Sequence, residues 1–121
     1  MIAGVGIDLI KIDRIGKALE RKNFLEITFT PAEIKCYRGA GCPLDSLAAR
    51  FAAKEAVFKA LGTGWIKGAE VEILSDELGK PKVKLYGETL KKSRELGIAN
   101  IHVSISYHGG YAIGFAVAEK C

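Results

Sequence analysis

Residues 50–64 read Arg-Phe-Ala-Ala-Lys-Glu-Ala-Val-Phe-Lys-Ala-Leu-Gly-Thr-Gly, and no other stretch constrains this chain as tightly. The pattern predicts a helix that carries charge where packing alone wants none. At about 100° per residue, Leu47, Phe51, Phe58 and Leu61 fall within one narrow apolar arc that faces the core. Lys54 falls inside the same arc. Glu55 sits at its edge with Lys59 one turn further on, and Ala48 and Ala52 beside them leave room that larger side chains would fill. A carboxylate and two ammonium groups against small residues at a core margin read as a site for something polar, such as phosphate with a metal. The competing reading is that Lys54 and Lys59 snorkel to solvent while Glu55 pairs with Lys59 at i,i+4.

The rest of the chain frames this helix. Residues 2–10 read as a buried strand, with Ala3, Val5, Ile7 and Leu9 on one face and Ile2, Gly4, Gly6, Asp8 and Ile10 on the other. Gly4 and Gly6 would let another element come close. Asp8 shares their face, and a carboxylate there must be paired, metal-bound, at the solvent edge or a cap for the helix that follows. Asp13 is expected to cap a helix running to residue 22, with Ile15, Ala18 and Leu19 inward and Arg14, Lys17 and Arg21 along one outer stripe. That stripe is either a docking surface or a solvated face. Residues 24–29 lead into Thr30-Pro31-Ala32-Glu33, a capping box with proline at the first helical position, opening a short helix to residue 38. Gly39-Ala40-Gly41-Cys42-Pro43 is a break, Asp45 or a neighbour caps the central helix, and Gly62-Thr63-Gly64 ends it. Strands at 70–75 and 82–86 form a hairpin around Gly79-Lys80-Pro81, residues 88–96 a helix stopped by Gly97, and residues 100–107 and 111–119 a second hairpin turned by Gly109-Gly110. In the first strand of that pair Ile101, Val103 and Ile105 alternate with His102, Ser104 and Ser106, so one side is polar, lining a site or meeting solvent.

These elements predict a single α+β domain over residues 1–121, with antiparallel strands packed on a long central helix. With 49% hydrophobic and 26% charged residues, disorder is not indicated. Cys36, Cys42 and Cys121 lack CxxC spacing, so neither a disulfide framework nor a zinc site is expected, and the thiols should be reduced. The apolar N-terminal run carries Asp8 and follows no basic region, which reads as neither signal peptide nor membrane span, so a cytoplasmic protein is expected. A net charge of +4 favours an anionic partner: nucleic acid, a phosphorylated small molecule or an acidic protein.

Three segments together are more specific. Gly4-Val5-Gly6-Ile7-Asp8-Leu9-Ile10-Lys11-Ile12-Asp13-Arg14-Ile15, the Arg50-Phe51-Ala52-Ala53-Lys54-Glu55-Ala56 stretch with Lys59-Ala60-Leu61-Gly62-Thr63-Gly64, and His102-Val103-Ser104-Ile105-Ser106 resemble, in the same order, the holo-[acyl-carrier-protein] synthases. These are small bacterial 4′-phosphopantetheinyl transferases. The resemblance implies Mg²⁺-dependent transfer of 4′-phosphopantetheine from coenzyme A to a serine of apo acyl carrier protein, releasing adenosine 3′,5′-bisphosphate, in fatty acid biosynthesis. It implies Asp8 and Glu55 as metal ligands and, with Lys59, as catalytic residues. Glu55, directly or through metal-bound water, would help remove the serine proton. Coenzyme A would be held by Arg50, Lys54, Lys59, Gly62, Gly64, Pro81, Ser106 and His108. Arg14, Lys17 and Arg21 would meet the acidic carrier protein. The family is also typically a homotrimer with the cofactor between subunits, so the 102–106 strand would complete a neighbour's site. Many members carry a histidine where this chain has Tyr107; either His108 takes that role through a shifted turn or the histidine is dispensable.

Two competing classes follow from the residues. A basic nucleic-acid-binding module is suggested by charge and size, but no aromatic RNP-type strand or KH-type loop supports it, and neither nucleic acid nor membrane is expected as a partner. A catalytically weak relative would bind carrier protein without modifying it.

Overall fold

The computed structural model describes residues 1–39 and 43–121 and wraps two antiparallel sheets and four shorter helices around one long helix. In chain order the elements are β1 (Ile2–Lys11), α1 (Ile12–Ala18), α2 (Phe24–Thr28), α3 (Pro31–Arg38), α4 (Leu44–Leu61), a 3-10 turn (Gly68–Glu70), β2 (Val71–Ser75), β3 (Pro81–Leu85), α5 (Gly87–Glu95), β4 (Ile98–His108) and β5 (Tyr111–Lys120). One sheet has the order β1-β5-β4 and the other pairs β2 with β3. The α+β architecture is the one expected. Ala40, Gly41 and Cys42, in the expected break before the central helix, lie outside the described residues.

Glycine sets how α4 meets the larger sheet. A Cβ added to Gly6 would lie 1.9 Å from the Ala56 carbonyl oxygen, one on Gly4 2.1 Å from that of Ala60, and one on Gly114 2.4 Å from the Ala53 amide nitrogen. Strand and helix backbones therefore touch at β1 and β5, an approach that only missing side chains permit. The alanines serve the same contact. Ala48 and Ala52 were expected to leave room for a ligand, but they are fully buried with Ala49, Ala53 and Ala56 and leave none. Leu47, Phe51, Phe58 and Leu61 face the core as predicted.

The helix ends differ from the expectation in two places. Asp13 does not cap α1; it lies in the first turn, Lys11 holds the cap position, and the helix ends at Ala18. The reason is that α1 leaves β1 without a break, and the Ile12 amide donates to the Gly110 carbonyl (2.9 Å) instead of to a cap side chain. Asp45 likewise lies in the first turn of α4, behind Pro43. The Thr30–Glu33 capping box is formed with both bonds, and Gly62 closes α4 in the left-handed region at φ 73°. Residues 24–28, expected only as a lead-in, form a helical turn that sets Phe24 against Phe29.

The first strand departs most from its reading. Its Gly4, Gly6 and Ile10 side packs inward, but Val5 (58%), Ile7 (55%) and Leu9 (61%) are exposed. In register beside them lie Val117, Phe115 and Ile113 of β5, then His102, Ser104 and Ser106 of β4. The sheet thus buries one face on α4 and leaves the other open, apolar in the middle and polar along β4. Among the described residues no helix is long and apolar enough to cross a membrane.

Candidate active site

Strand alternation turns Asp8 toward α4 on the same side as Gly4 and Gly6, so the close glycine contact carries its carboxylate to the helix. Lys59 reaches across to the strand, its Nζ donating to the Ile7 carbonyl (2.8 Å) and to Asp8 Oδ1 (3.3 Å). Asp8 Oδ2 is buried with no hydrogen-bond partner. A buried carboxylate oxygen left bare is costly unless something positive meets it. Glu55, one turn before Lys59, is half-buried. Burial, and next the Asp8 carboxylate, hold its carboxyl above the ordinary value, against the pull of Lys59 and Arg14. Asp8 and Glu55 are close enough for each other's charge to be felt, and of the nearby cations Lys59 bonds Asp8 Oδ1 while Asp8 Oδ2 stays bare.

That donor set fits a hard divalent cation. Mg²⁺ takes one or two carboxylates and completes its shell with water and substrate phosphate. Among the described residues no three His, Cys, Asp or Glu side chains gather as a closed metal cage would require.

Lys54 and Arg50 are placed elsewhere than expected. Lys54 has 0% exposure, and its ammonium donates to Glu33 Oε1 (2.6 Å), to the Gly68 carbonyl (2.9 Å) and to the Val71 carbonyl. Three oxygens match the three donors of an ammonium, so it has nothing left for a phosphate. Desolvation lowers its pKa and the Glu33 carboxylate opposes that shift. Arg50 is also buried and turns inward, donating from Nε to the Ile73 carbonyl (2.9 Å) and from Nη1 to Ser46 Oγ (2.7 Å). Both cations were expected to hold coenzyme A; in the structure Lys54 is fully engaged inside the fold, and Arg50 is buried and directed at β2 and Ser46.

The remaining candidates lie around the carboxylates or on other surfaces. Gly62 and Gly64 both have positive φ, with open space where a side chain would be. Pro81 lines a groove of about 320 Å³ with Lys80, Lys82 and His102. Ser106 and His108 border a shallow hollow with Leu9 and Tyr111 on the open face of the sheet. Asp8 faces the other side of that sheet, so within one chain the strand pairing keeps Ser106 and His108 apart from the carboxylates. Arg14, Lys17 and Arg21 are exposed along α1 and just beyond it, Arg21 lying over the Phe24 ring and Arg14 close enough to act on Glu55.

Two features went unread in the sequence. Glu33 was seen as a cap, but its partnership with Lys54 spans 21 positions and no local pattern announces it. Trp65 stacks against Phe51 and Phe58, its ring centroid 5.3 and 5.1 Å from theirs, and stays partly exposed beside the end of α4.

Comparison with known proteins supplies the remaining finding. Residues 4–116 match the model of the 4′-phosphopantetheinyl transferase superfamily. The holo-[acyl-carrier-protein] synthase of Clostridium tetani is 43% identical over 122 residues, covering 98% of this chain and 97% of that one. The crystal structure of the holo-[acyl-carrier-protein] synthase of Neisseria meningitidis superposes with a TM-score of 0.90 at 36% identity, covering 99% of this chain and all of that one. That of Helicobacter pylori, in complex with coenzyme A, superposes with a TM-score of 0.82 at 31% identity, covering 95% of this chain and 99% of that one.

Proposed function

The chain belongs to the 4′-phosphopantetheinyl transferase superfamily, and from that premise we infer that it is a holo-[acyl-carrier-protein] synthase. It transfers 4′-phosphopantetheine from coenzyme A to a serine of apo acyl carrier protein. The serine oxygen bonds to the phosphorus that carries pantetheine as the bond from that phosphorus to the adenosine 3′,5′-bisphosphate breaks. The serine proton leaves to a base. The observation that carries the reading is Asp8 Oδ2, buried and bare, on a strand close enough to α4 for the Asp8 charge to act on Glu55.

Phosphoryl transfer asks the protein mainly for position and charge. Asp8 and Glu55 would hold Mg²⁺, which when bound neutralises charge on the diphosphate and leaving group. Lys59, anchored on the Ile7 carbonyl and half-exposed, supplies a cation to phosphate oxygens. Glu55, directly or through a metal-bound water, would help remove the serine proton. Gly62 and Gly64 give coenzyme A access to backbone beside the helix end, and Pro81 flanks it on the hairpin. Arg14, Lys17 and Arg21 receive the acidic carrier and steer it toward Glu55.

The open face of the larger sheet supports a homotrimer. Val5, Ile7, Leu9 and Phe115 are too continuous an apolar surface to stay in water, and burying it between copies would carry Ser106 and His108 of one subunit to the carboxylates of the next. We place the enzyme in the cytoplasm, in fatty acid biosynthesis. The test is to incubate it with apo carrier protein, coenzyme A and Mg²⁺ and weigh the carrier. Addition of a phosphopantetheine mass that vanishes with chelator is expected. An unchanged mass across several carriers would refute the function, and transfer undiminished by chelator would refute the metal.

A further inference from the structure

The β2–β3 hairpin has two edges, and the one facing α4 is closed by charged side chains instead of a strand. The Tyr86 amide donates to the Glu70 carbonyl, so residues 70, 72 and 74 bond toward β3 while Val71 and Ile73 turn their backbone groups away from it. At that free edge the Ile73 amide donates to Glu33 Oε2 (3.0 Å), and the Ile73 carbonyl accepts from Arg50 Nε. The Val71 carbonyl accepts from Lys54 Nζ. Glu33 also accepts from the Thr30 amide (2.9 Å), so one carboxylate ties the start of α3, the middle of α4 and the edge of β2.

Lys54 and Glu55 are neighbours on α4 and point about 100° apart, Lys54 to the hairpin and Glu55 to Asp8. On the β1 side the buried part of the helix rests on glycine and alanine, and the one side-chain tie there is that of the half-exposed Lys59 to the Ile7 carbonyl and Asp8. The buried directional bonds are on the hairpin side.

We propose that Lys54 and Glu33 are positioning residues for the transfer reaction: their buried pair fixes the rotation of α4 and the seat of the hairpin, and thereby the placement of Pro81 relative to Glu55 and Lys59. The proposal rests on the function assigned above. It gives the lysine of the Lys-Glu-Ala segment a role without contact to substrate.

The test compares Glu33→Gln, Lys54→Met, the double variant and the milder Glu33→Asp, which keeps the charge and shortens the side chain. Folding is followed by urea denaturation using Trp65, the sole tryptophan, and kinetics are measured where each variant is fully folded. Glu33 touches no substrate, yet its variants are expected to raise KM for coenzyme A by about tenfold or more, because misplacement by an ångström is costly at a transfer site. The double variant should be no worse than Lys54→Met alone, since each removes the same linkage. If Glu33→Gln and Lys54→Met do not fold, Glu33→Asp carries the test with the same expected rise in KM. Folded variants with wild-type KM and kcat would reduce the pair to a stabilising element and overturn the proposal. Multiplying effects in the double variant would mean that Glu33 and Lys54 act independently of their pair, and would overturn it as well. An inactive wild-type enzyme would overturn the function and this inference together, whereas an active one with unaffected variants overturns this inference only.

Discussion

Replacing Gly6 by alanine adds a single methyl group at the point where strand and helix backbones touch. That carbon would lie 1.9 Å from the Ala56 carbonyl oxygen and 2.9 Å from the Ala60 amide nitrogen, both backbone atoms that no rotamer can move. A carbon–oxygen contact needs about 3.3 Å, so β1 and α4 must part by roughly 1.4 Å at that level. Forced overpacking of this kind costs about 1–3 kcal/mol. The same displacement acts on the site, since Asp8 rides on β1 two residues further on while Glu55 and Lys59 ride on α4. The Lys59–Ile7 bond of 2.8 Å spans the same gap, and misplacement by about 1 Å costs on the order of 10²-fold in rate. Urea denaturation followed through Trp65, which packs on Phe51 and Phe58 of the same helix, reads the stability. Carrier mass against time reads the rate. Gly6→Ala should lose on both, and a variant with wild-type midpoint and rate would refute the claim that glycine brings Asp8 to the helix.

Other consequences follow from the same structure. Glu70 caps α5: burial pushes its carboxyl up, but hydrogen bonds from the Thr89 hydroxyl and amide and the Glu88 amide outweigh that and hold it below its usual value of 4.5. A carboxyl depressed in the fold stabilises above its unfolded pKa and loses that contribution as pH falls through the folded one. Wild-type urea midpoints should therefore drop more steeply below about pH 4.5 than those of Glu70→Gln, and parallel curves would contradict the cap. Ile7→Glu or Phe115→Glu, placed on the open sheet face, should give folded monomers in sedimentation velocity with little turnover; variants that remain trimeric would refute this face as the interface, monomers with full activity would refute the shared site, and a monomeric wild type would refute the trimer. Lys17→Glu with Arg21→Glu should raise KM for carrier protein by about tenfold or more and flatten its salt dependence, leaving KM for coenzyme A unchanged. An unaltered carrier KM would remove α1 from the docking surface.

Much of this arrangement could be read along the chain because it is local. The Thr30–Glu33 capping box, the glycine stops at 62 and 97, both hairpins and the polar–apolar alternation of β4 are each set by residues within a few positions of one another. Gly4 and Gly6 also announced a close approach before the approaching helix was known. The failures are tertiary. An arc on a helical wheel says that Lys54 faces inward but not that Glu33 and two carbonyls wait there, because that shell is assembled from α3, the 3-10 turn and β2. The inward turn of Arg50 is hidden for the same reason, its carbonyl partner lying 23 positions away. The apolar run of β1 suggested burial on both faces, and hydrophobicity alone does not say whether the same chain or another copy supplies the cover.

The most direct measurement is a crystal of the enzyme grown with coenzyme A and Mn²⁺ in place of Mg²⁺, probed by anomalous scattering. A peak at about 2.2 Å from Asp8 Oδ2, shared with Glu55 and with the diphosphate of coenzyme A, is the expected result. Bound coenzyme A with its diphosphate at Lys59 and no cation between Asp8 and Glu55, or a cation held by other residues, would contradict it.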